Sequence, residues 1–437
     1  MTTIHHSSSS SSSSSSHLIK DGLNLWSKLL RNTIFLPNHS ESLQQKQQLE
    51  EIFQHNFLSI FQNDFIGIEY EEMKRFFSIL ECSLLLNGLN FILSSNSSRD
   101  VVSFIFKNII GELKPRIICY AMRPIECLLL LQCFVNQIES TNTNSFHYFI
   151  NGPHALPPAP ASSSICSEFL YSIGIIQRML RVCCSLFSSI AETDDQPNIL
   201  YLRIGDILQS FQEADVAVTS YLSILCRIFL LSPHTLYKSC QDMATELNQQ
   251  SLIEITSDFI FKSFFRLLLT KFDAIGYHRG GIWHRRICCF ALLSIYPTTD
   301  QEFLSLLSEI LYLVDDILSE NMTREGQQKL LQVKTSYLSL GDDQDDDEDG
   351  EELGEGVADG RTKKLLPINY LFHELLETDP VLITSLHEFV HQKLQELTQV
   401  MSQEELSQGI LREMDQNVMM RILSNDYQMV EEDDSNS

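Results

Sequence analysis

Apolar residues recur at helical spacing along most of the chain, and this pattern constrains the fold more than any other feature. Within 218–231 one helix face has the i, i+3, i+4, i+7 spacing: Val218, Tyr221, Leu222, Leu225, Ile228 and Phe229. Residues 303–314 and 382–397 repeat the pattern. No stretch combines two-residue alternation with hairpin turns, and 17 Gly and 12 Pro in 437 residues are too few for a sandwich or barrel. The sequence therefore predicts an all-α chain.

Helix start signals agree with the apolar stripes. Thr299-x-x-Glu302 and Ser402-x-x-Glu405 have the form of capping boxes, and Asp379-Pro380 places an N-cap before a proline at the first helical position. The predicted helices are 18–35, 41–62, 68–93, 97–112, 115–138, 165–191, 198–212, 216–231, 234–247, 251–272, 282–296, 300–319, 366–377, 380–399 and 403–424. Helix pairs of about 40 residues are typical of HEAT and armadillo repeats. The predicted architecture is a HEAT-like solenoid of antiparallel helix pairs.

Two segments interrupt the predicted repeats. Residues 139–164 are rich in Pro, Ser and Asn, which predicts a loop. Residues 341–364 hold eleven acidic and three basic side chains, a net charge of −8, and have no apolar periodicity that could order them. The predicted organisation is a disordered serine-rich start at 1–17, helical repeats at 18–340, a disordered acidic insertion at 341–364, C-terminal helical repeats at 365–425 and an acidic tail at 426–437.

The formal net charge of −26 restricts the partners of this chain. An acidic surface repels phosphate backbones and attracts basic proteins, so we expect no nucleic acid partner and a basic protein partner. The most apolar stretches are interrupted by Gln132, Lys262 and Arg266, which predicts no membrane insertion. The 11 Cys residues include no C-x-x-C pair, which argues against a disulfide framework or structural zinc and favours a reducing compartment.

One motif suggests an enzyme. His387-Glu388-Phe389-Val390-His391 has the H-E-x-x-H form in which two His bind Zn²⁺ and the Glu activates water. The apolar stripe of that helix is centred on Leu386 and Val390, so both His lie on its flank or in solvent. We therefore interpret these His as surface residues and expect neither catalysis nor a metal or other cofactor.

Two segments are candidates for partner binding. Trp283, Arg285 and Arg286 lie at the start of a predicted helix, and Trp and Arg are enriched at binding hot spots. The alternative is that these residues join adjacent repeats through acidic partners. The second candidate is a run of carboxylates in the insertion: Asp342, Asp343, Asp345, Asp346, Asp347, Glu348, Asp349, Glu351 and Glu352. These could attract basic cargo by electrostatic steering, or could form only a solvated linker.

Several blocks of the C-terminal half occur in a distinctive order. They are 218–231, 285–297, the acidic stretch followed by Arg361, Lys363 and Lys364, then 379–394 and the closing helix 403–424. In this order they resemble the C-terminal region of the importin-β (karyopherin-β) nuclear transport receptors, and the importin-eleven branch in particular. The resemblance covers residues 214–425, whereas 17–212 match only in helical character.

The resemblance implies a superhelix of HEAT repeats that wraps protein cargo on its concave face and has no catalytic site. It also implies possible partners in the Ran GTPase and nucleoporins, and localisation to the nucleus and cytoplasm, including the nuclear envelope or pore. With 437 residues the chain is shorter than such receptors, as expected of a fragment, a truncated gene model or a shortened paralogue. The alternatives are a helical-repeat scaffold or adaptor unrelated to transport and a zinc hydrolase using His387, Glu388 and His391.

Overall fold

Helices make up the part of this chain that a computed structural model describes. The described residues are 48, 70–87, 89, 103, 115–141, 165–187, 199–208, 215–250, 254–279, 282–322, 375–376, 379–402, 406, 411–412 and 414–424. They contain fifteen α-helices and no β-strand. The predicted all-α, HEAT-like helical-repeat fold is confirmed. None of the helices in the described ranges combines the length and the apolar composition needed to cross a bilayer.

The helices are short and most are separated by a few residues. In chain order they are α1 (Tyr70–Asn87), α2 (Pro115–Thr141), α3 (Ile165–Ser172), α4 (Ile175–Cys184), α5 (Ile199–Leu208), α6 (Asp215–Leu231), α7 (Pro233–Gln250), α8 (Ser257–Thr270), α9 (Phe272–Arg279), α10 (Ile282–Leu293), α11 (Gln301–Ser305), α12 (Leu307–Met322), α13 (Pro380–Ile383), α14 (Leu386–Val400) and α15 (Gln416–Ser424). Only Ser232 separates α6 from α7, where Pro233 supplies the first helical residue.

The chain divides into two compact units, residues 1–105 with 347–372 and residues 106–346 with 373–437. Helix α1 belongs to the first unit and buries Phe76, Phe77 and Leu80, whose spacing corresponds to one helical face. The rings of Phe76 and Phe77 meet edge to face, with centroids 5.5 Å apart. The remaining fourteen described helices belong to the second unit.

Helix α6 lies at the centre of the second unit. It contacts α2, α4, α7, α9 and α10, and every residue from Ala217 to Phe229 is buried. A helix surrounded on all sides must be apolar all round, as α6 largely is. Two of its buried hydroxyls are satisfied locally, because Thr219 and Ser220 donate to the Val216 carbonyl at 3.0 and 2.8 Å. The one charged side chain in this buried run, Arg227, needs a partner elsewhere.

Aromatic side chains of α8 join it to its neighbours. The Phe265 ring lies 5.2 Å from Phe229 of α6, 5.0 Å from Phe261, 4.9 Å from Phe264 and 5.8 Å from Phe303 of α11, centroid to centroid. All four pairs are edge to face, the arrangement that aromatic quadrupoles favour. The Phe-rich segment of α8 therefore forms the contact between α6, α8 and α11.

The structure corrects several predicted helix boundaries. Predicted helix 165–191 is divided into α3 and α4, because Gly174 has the left-handed backbone angle φ 77° that ends a helix. Predicted helix 251–272 begins at Ser257, and a separate helix, α9, follows it. Predicted helix 380–399 is divided into α13 and α14, where the Ser385 hydroxyl accepts from the Glu388 N–H at 3.3 Å.

The N-cap predicted at Thr299 is wrong by one residue. Asp300 caps α11, and its carboxylate accepts from the Glu302 N–H at 2.9 Å. The same carboxylate pairs with Lys262 of α8 at 2.6 Å, so a tertiary contact favours Asp300 over Thr299. The cap at Asp379 is confirmed, whereas the predicted box that begins at Ser402 includes residues outside the described ranges.

Replacing Phe265 by Ala should destabilise the second unit more than any exposed substitution. The buried ring contacts α6 and α11, so truncation leaves a cavity and should cost about 3–5 kcal/mol of unfolding free energy. Phe265→Leu, which retains most of the volume, is the matched control and should cost less than about 1.5 kcal/mol. Urea unfolding followed by circular dichroism measures both, and equal losses would contradict the packing described here.

Candidate functional site

The Trp283 side chain lies inside the protein. It is 1% exposed, and its indole N–H donates to Asp379 Oδ2 at 3.2 Å. The guanidinium of Arg227 lies 5.4 Å from the centroid of the indole ring, within cation–π range. Trp283 therefore joins α10 to α6 and to the N-terminus of α13, and its surface does not face solvent.

Asp379 and Arg227 form a bidentate ion pair in the same place. Arg227 Nη1 and Nη2 lie 2.5 and 2.6 Å from the two carboxylate oxygens, and the side chains are 4% and 0% exposed. Asp379 Oδ1 also accepts from the Val381 N–H at 3.0 Å, as the N-cap of α13. The buried carboxylate thus accepts four hydrogen bonds, which offsets the cost of its burial.

Arg286 secures the other end of the same short helix. Its Nε donates to the Val381 carbonyl at 2.7 Å and its Nη2 to the Thr384 carbonyl at 2.6 Å. Carbonyls at a helix C-terminus lack intrahelical partners, and a cation there also interacts favourably with the helix dipole. We call Arg227, Trp283, Arg286 and Asp379 the Asp379 centre.

Arg285 points towards α12 instead. It pairs with Asp316, at 3.2 Å, and with Glu320. To reach them it crosses Gly276 of α9, where an added Cβ would lie 2.6 Å from Arg285 Nε. The absence of a side chain at Gly276 therefore leaves room for the arginine.

The two arginines of the Asp379 centre differ in the direction of their pKa shifts. Burial lowers the pKa of the Arg227 guanidinium, whereas the charge and hydrogen bonds of Asp379 raise that pKa. The electrostatic effects of Cys133 and Glu126 raise it further, so the net shift is upward and Arg227 stays charged. Burial lowers the pKa of Arg286, whose nearest partners are neutral carbonyls. Burial also raises the pKa of the neighbouring Cys133 thiol to about 12, against the lowering effect of Arg227, so this thiol stays protonated.

A second buried polar pair lies between α2 and α10. His284 Nε2 and Glu126 Oε1 are 3.2 Å apart, and both residues are buried. Glu126 also acts on Arg227, because its charge raises the pKa of that guanidinium. The polar interior therefore extends from α13 through α6 and α10 to α2.

The structure brings Trp283 and Arg286 together with Asp379 and directs Arg285 to α12. These contacts match the alternative in which the segment joins adjacent repeats, and they leave Trp283 without an exposed face. The acidic candidates from Asp342 to Glu352 lie outside the described residues. Arg227 was not among the site residues predicted from the sequence, and Asp379 was predicted only as a cap. An Arg within an apolar helix face is nevertheless a usable signal for a buried ion pair.

The His pair of α14 contacts the last turn of α15. The His387 and His391 rings are 4.6 Å apart, and His391 Nε2 lies 3.0 Å from the Leu423 carbonyl oxygen. Burial is the main cause that lowers the pKa of His387, and the adjacent His391 adds to it. Within the described ranges, no three His, Cys, Asp or Glu side chains form a group that could hold a metal ion.

The paired cysteines occupy the interior. Cys183, Cys184, Cys288 and Cys289 are all buried and free. Burial raises the pKa of Cys184, Cys288 and Cys289. A protonated, enclosed thiol is a poor nucleophile, so these cysteines serve as small apolar residues of the core.

The described residues form helices that pack against one another and are joined by ion pairs, which is the architecture of a helical-repeat protein. A model of the family described as importin-11-like, TPR repeats, matches residues 1–424. The chain belongs to this importin-11-like family, which is of the nuclear import receptor kind and is generally non-enzymatic. The resemblance found in the sequence is confirmed, and the match also includes the N-terminal half. Searches of curated proteins and of solved structures found no match.

Removing one partner of the Asp379 centre should destabilise the protein strongly. Asp379→Leu leaves the Arg227 charge buried without its carboxylate and should cost about 3–5 kcal/mol of unfolding free energy. Arg227→Met combined with Asp379→Leu removes both charges and should recover most of that loss. Urea unfolding of the two single variants and the double variant measures the coupling, and additive losses would contradict a direct pair.

Replacing His391 by Ala should have a small effect. It removes the contact with the Leu423 carbonyl and should cost about 0.5–1.5 kcal/mol of unfolding free energy. His391→Gln retains a side-chain donor and serves as the control. Elemental analysis should find no stoichiometric zinc in either variant or in the parent, and zinc that disappears with His391→Ala would support the hydrolase instead.

Proposed function

We propose that this chain is a HEAT-repeat portion of a nuclear import receptor, corresponding to its C-terminal region, which binds basic protein cargo for transport through the nuclear pore. The observation that carries the proposal is the family match over residues 1–424. The net charge of −26 supports the class of cargo, because an acidic protein attracts basic partners over long range.

The proposed capture element is the acidic run from Asp342 to Glu352, within residues 341–360. Solvated charges are screened beyond about 8 Å at physiological ionic strength, so their main effect is on the rate of encounter. The cations of the Asp379 centre do not compete for this run, because Arg227 pairs with Asp379 and Arg286 donates to carbonyls.

The Ran GTPase and nucleoporins are further proposed partners, and the nucleus and cytoplasm are the proposed locations. Membership of the importin-type family supports both proposals. A pull-down comparing GTP-loaded with GDP-loaded Ran tests the first of these. Selective retention of GTP-loaded Ran would support Ran as a partner, and equal or no retention of the two forms would contradict it.

Deleting residues 341–360 should slow capture of a lysine-rich protein cargo and flatten the salt dependence of the association rate. At low salt we expect a decrease of about tenfold, because steering by charge can raise association rates by that order or more. Stopped-flow fluorescence at low and at physiological salt measures the effect, and thermal unfolding should stay close to that of the parent.

The matched control keeps the length of the segment and removes nine of its eleven negative charges, with Asn for each Asp and Gln for each Glu between 342 and 352. If charge is responsible, this variant behaves like the deletion. Equal association rates and equal salt slopes for all three proteins would leave the insertion as a passive linker.

A further inference from the structure

Exposed large apolar side chains are concentrated in the last four helices of the described residues. Six such side chains are exposed in the described ranges, and five of them lie in α12–α15: Tyr312, Ile383, Val400, Met420 and Leu423. Soluble proteins expose single apolar residues routinely, so an exposed side chain suggests a binding role only where its surroundings support one. Of the five, Tyr312 has the best-defined surroundings.

The Tyr312 ring is exposed but fixed in position. The residue is 41% exposed, and its hydroxyl accepts from the Asp415 N–H at 2.9 Å, just before α15. Nearby, Arg421 of α15 pairs with Asp315 of α12 through two contacts of 3.1 and 2.5 Å. The Arg421–Asp315 ion pair holds α15 against α12, so the Tyr312 ring keeps its position without a binding partner. A rigid exposed aromatic side chain loses little conformational entropy when a partner binds.

Carboxylates flank this ring along the helix. Glu309 precedes Tyr312 by three residues and Asp316 follows it by four, so all three lie on one face of α12. Asp316 is 62% exposed, and its only ion pair among the described residues is with Arg285 at 3.2 Å. Glu309 is also exposed and has no ion pair within the described part of the chain. Its carboxylate is still partly shielded from water by the atoms around it, and this desolvation raises its pKa. A cation placed beside Glu309 would favour its charged form.

We propose that the α12 face formed by Glu309, Tyr312 and Asp316 is a docking site for a basic segment of a protein partner. A lysine or arginine head group can lie over the Tyr312 ring while it pairs with the adjacent carboxylates, and its aliphatic stem covers the exposed ring edge. Charge complementarity identifies the occupant, because an acidic or neutral segment would leave the Glu309 carboxylate without a partner, whereas a basic segment can pair with it.

The inference rests on the proposed function for the class of partner, a basic protein segment. It assigns that partner a contact outside the acidic insertion, made by residues that the structure describes. The competing explanation is that Tyr312 serves only to hold the start of α15 through its hydroxyl. The two explanations differ in which part of the tyrosine matters, the ring or the hydroxyl.

The test uses a fluorescein-labelled lysine-rich peptide and measures its dissociation constant by fluorescence anisotropy at low salt. The variants are Tyr312→Ala, Tyr312→Phe and Glu309→Gln, each made in the full chain and in the chain lacking 341–360. Tyr312→Phe loses the hydrogen bond to Asp415 but retains the ring. Glu254→Gln removes one exposed negative charge from another part of the chain and is the control for net charge.

We expect Tyr312→Ala to weaken peptide binding by about fivefold and Glu309→Gln by about threefold, in both backgrounds. Tyr312→Phe and Glu254→Gln should stay within about twofold of their parents. Thermal unfolding identifies any variant in which α15 no longer packs, and Tyr312→Phe shows the effect of losing the hydroxyl alone.

Equal binding by Tyr312→Ala and the parent would overturn the inference, as would equal weakening by Tyr312→Ala and Tyr312→Phe, or no peptide binding by the parent. If the deletion of 341–360 alone removes binding and the α12 variants do not change it, the docking site is wrong and the proposed function stands. If the α12 variants weaken binding and the deletion does not, the docking site stands and capture by the insertion is wrong.

Discussion

Asp379 and Arg227 are both enclosed by the protein, and the bidentate pair that they form offsets the free energy lost when their side chains are buried. The carboxylate also receives the Trp283 indole N–H and the first free N–H of α13, so it has no unsatisfied acceptor direction. Through these bonds α6, α10 and α13 meet at one point. The packing of the C-terminal helices against the central helix depends on this arrangement, since a mispositioned α13 would leave the Arg227 charge buried and unpaired.

The use of basic side chains inside the protein has a consequence for its surface. Arg227 is buried, Arg286 is bonded to carbonyls, and Arg285 is directed to carboxylates of α12. The chain has 57 acidic and 31 basic residues, so the cations that join helices cannot neutralise the whole surplus. The exposed carboxylates that remain are those with which a basic partner can interact, and this connects the interior of the fold to the proposed function.

The composition of the 283–286 segment was informative, but its role could not be predicted from residue types. Trp and Arg are enriched at binding hot spots and are equally suited to a buried cation–π and ion-pair cluster. The deciding residue is Asp379, which is 96 positions from Trp283 and 152 from Arg227. Local sequence does not encode which distant carboxylate will meet a given arginine, because that depends on how the helices pack.

The sequence by itself determined the helical class, the apolar faces and the cap at Asp379, because these depend on contacts within a few residues of the chain. It also identified the family, through the order of its blocks. Tertiary structure decided that Asp300 and not Thr299 caps α11, because Lys262 pairs with that carboxylate. It also decided that Trp283 is interior while Tyr312 is exposed, since both are aromatic residues on amphipathic helices and only the neighbouring helices determine which face is covered.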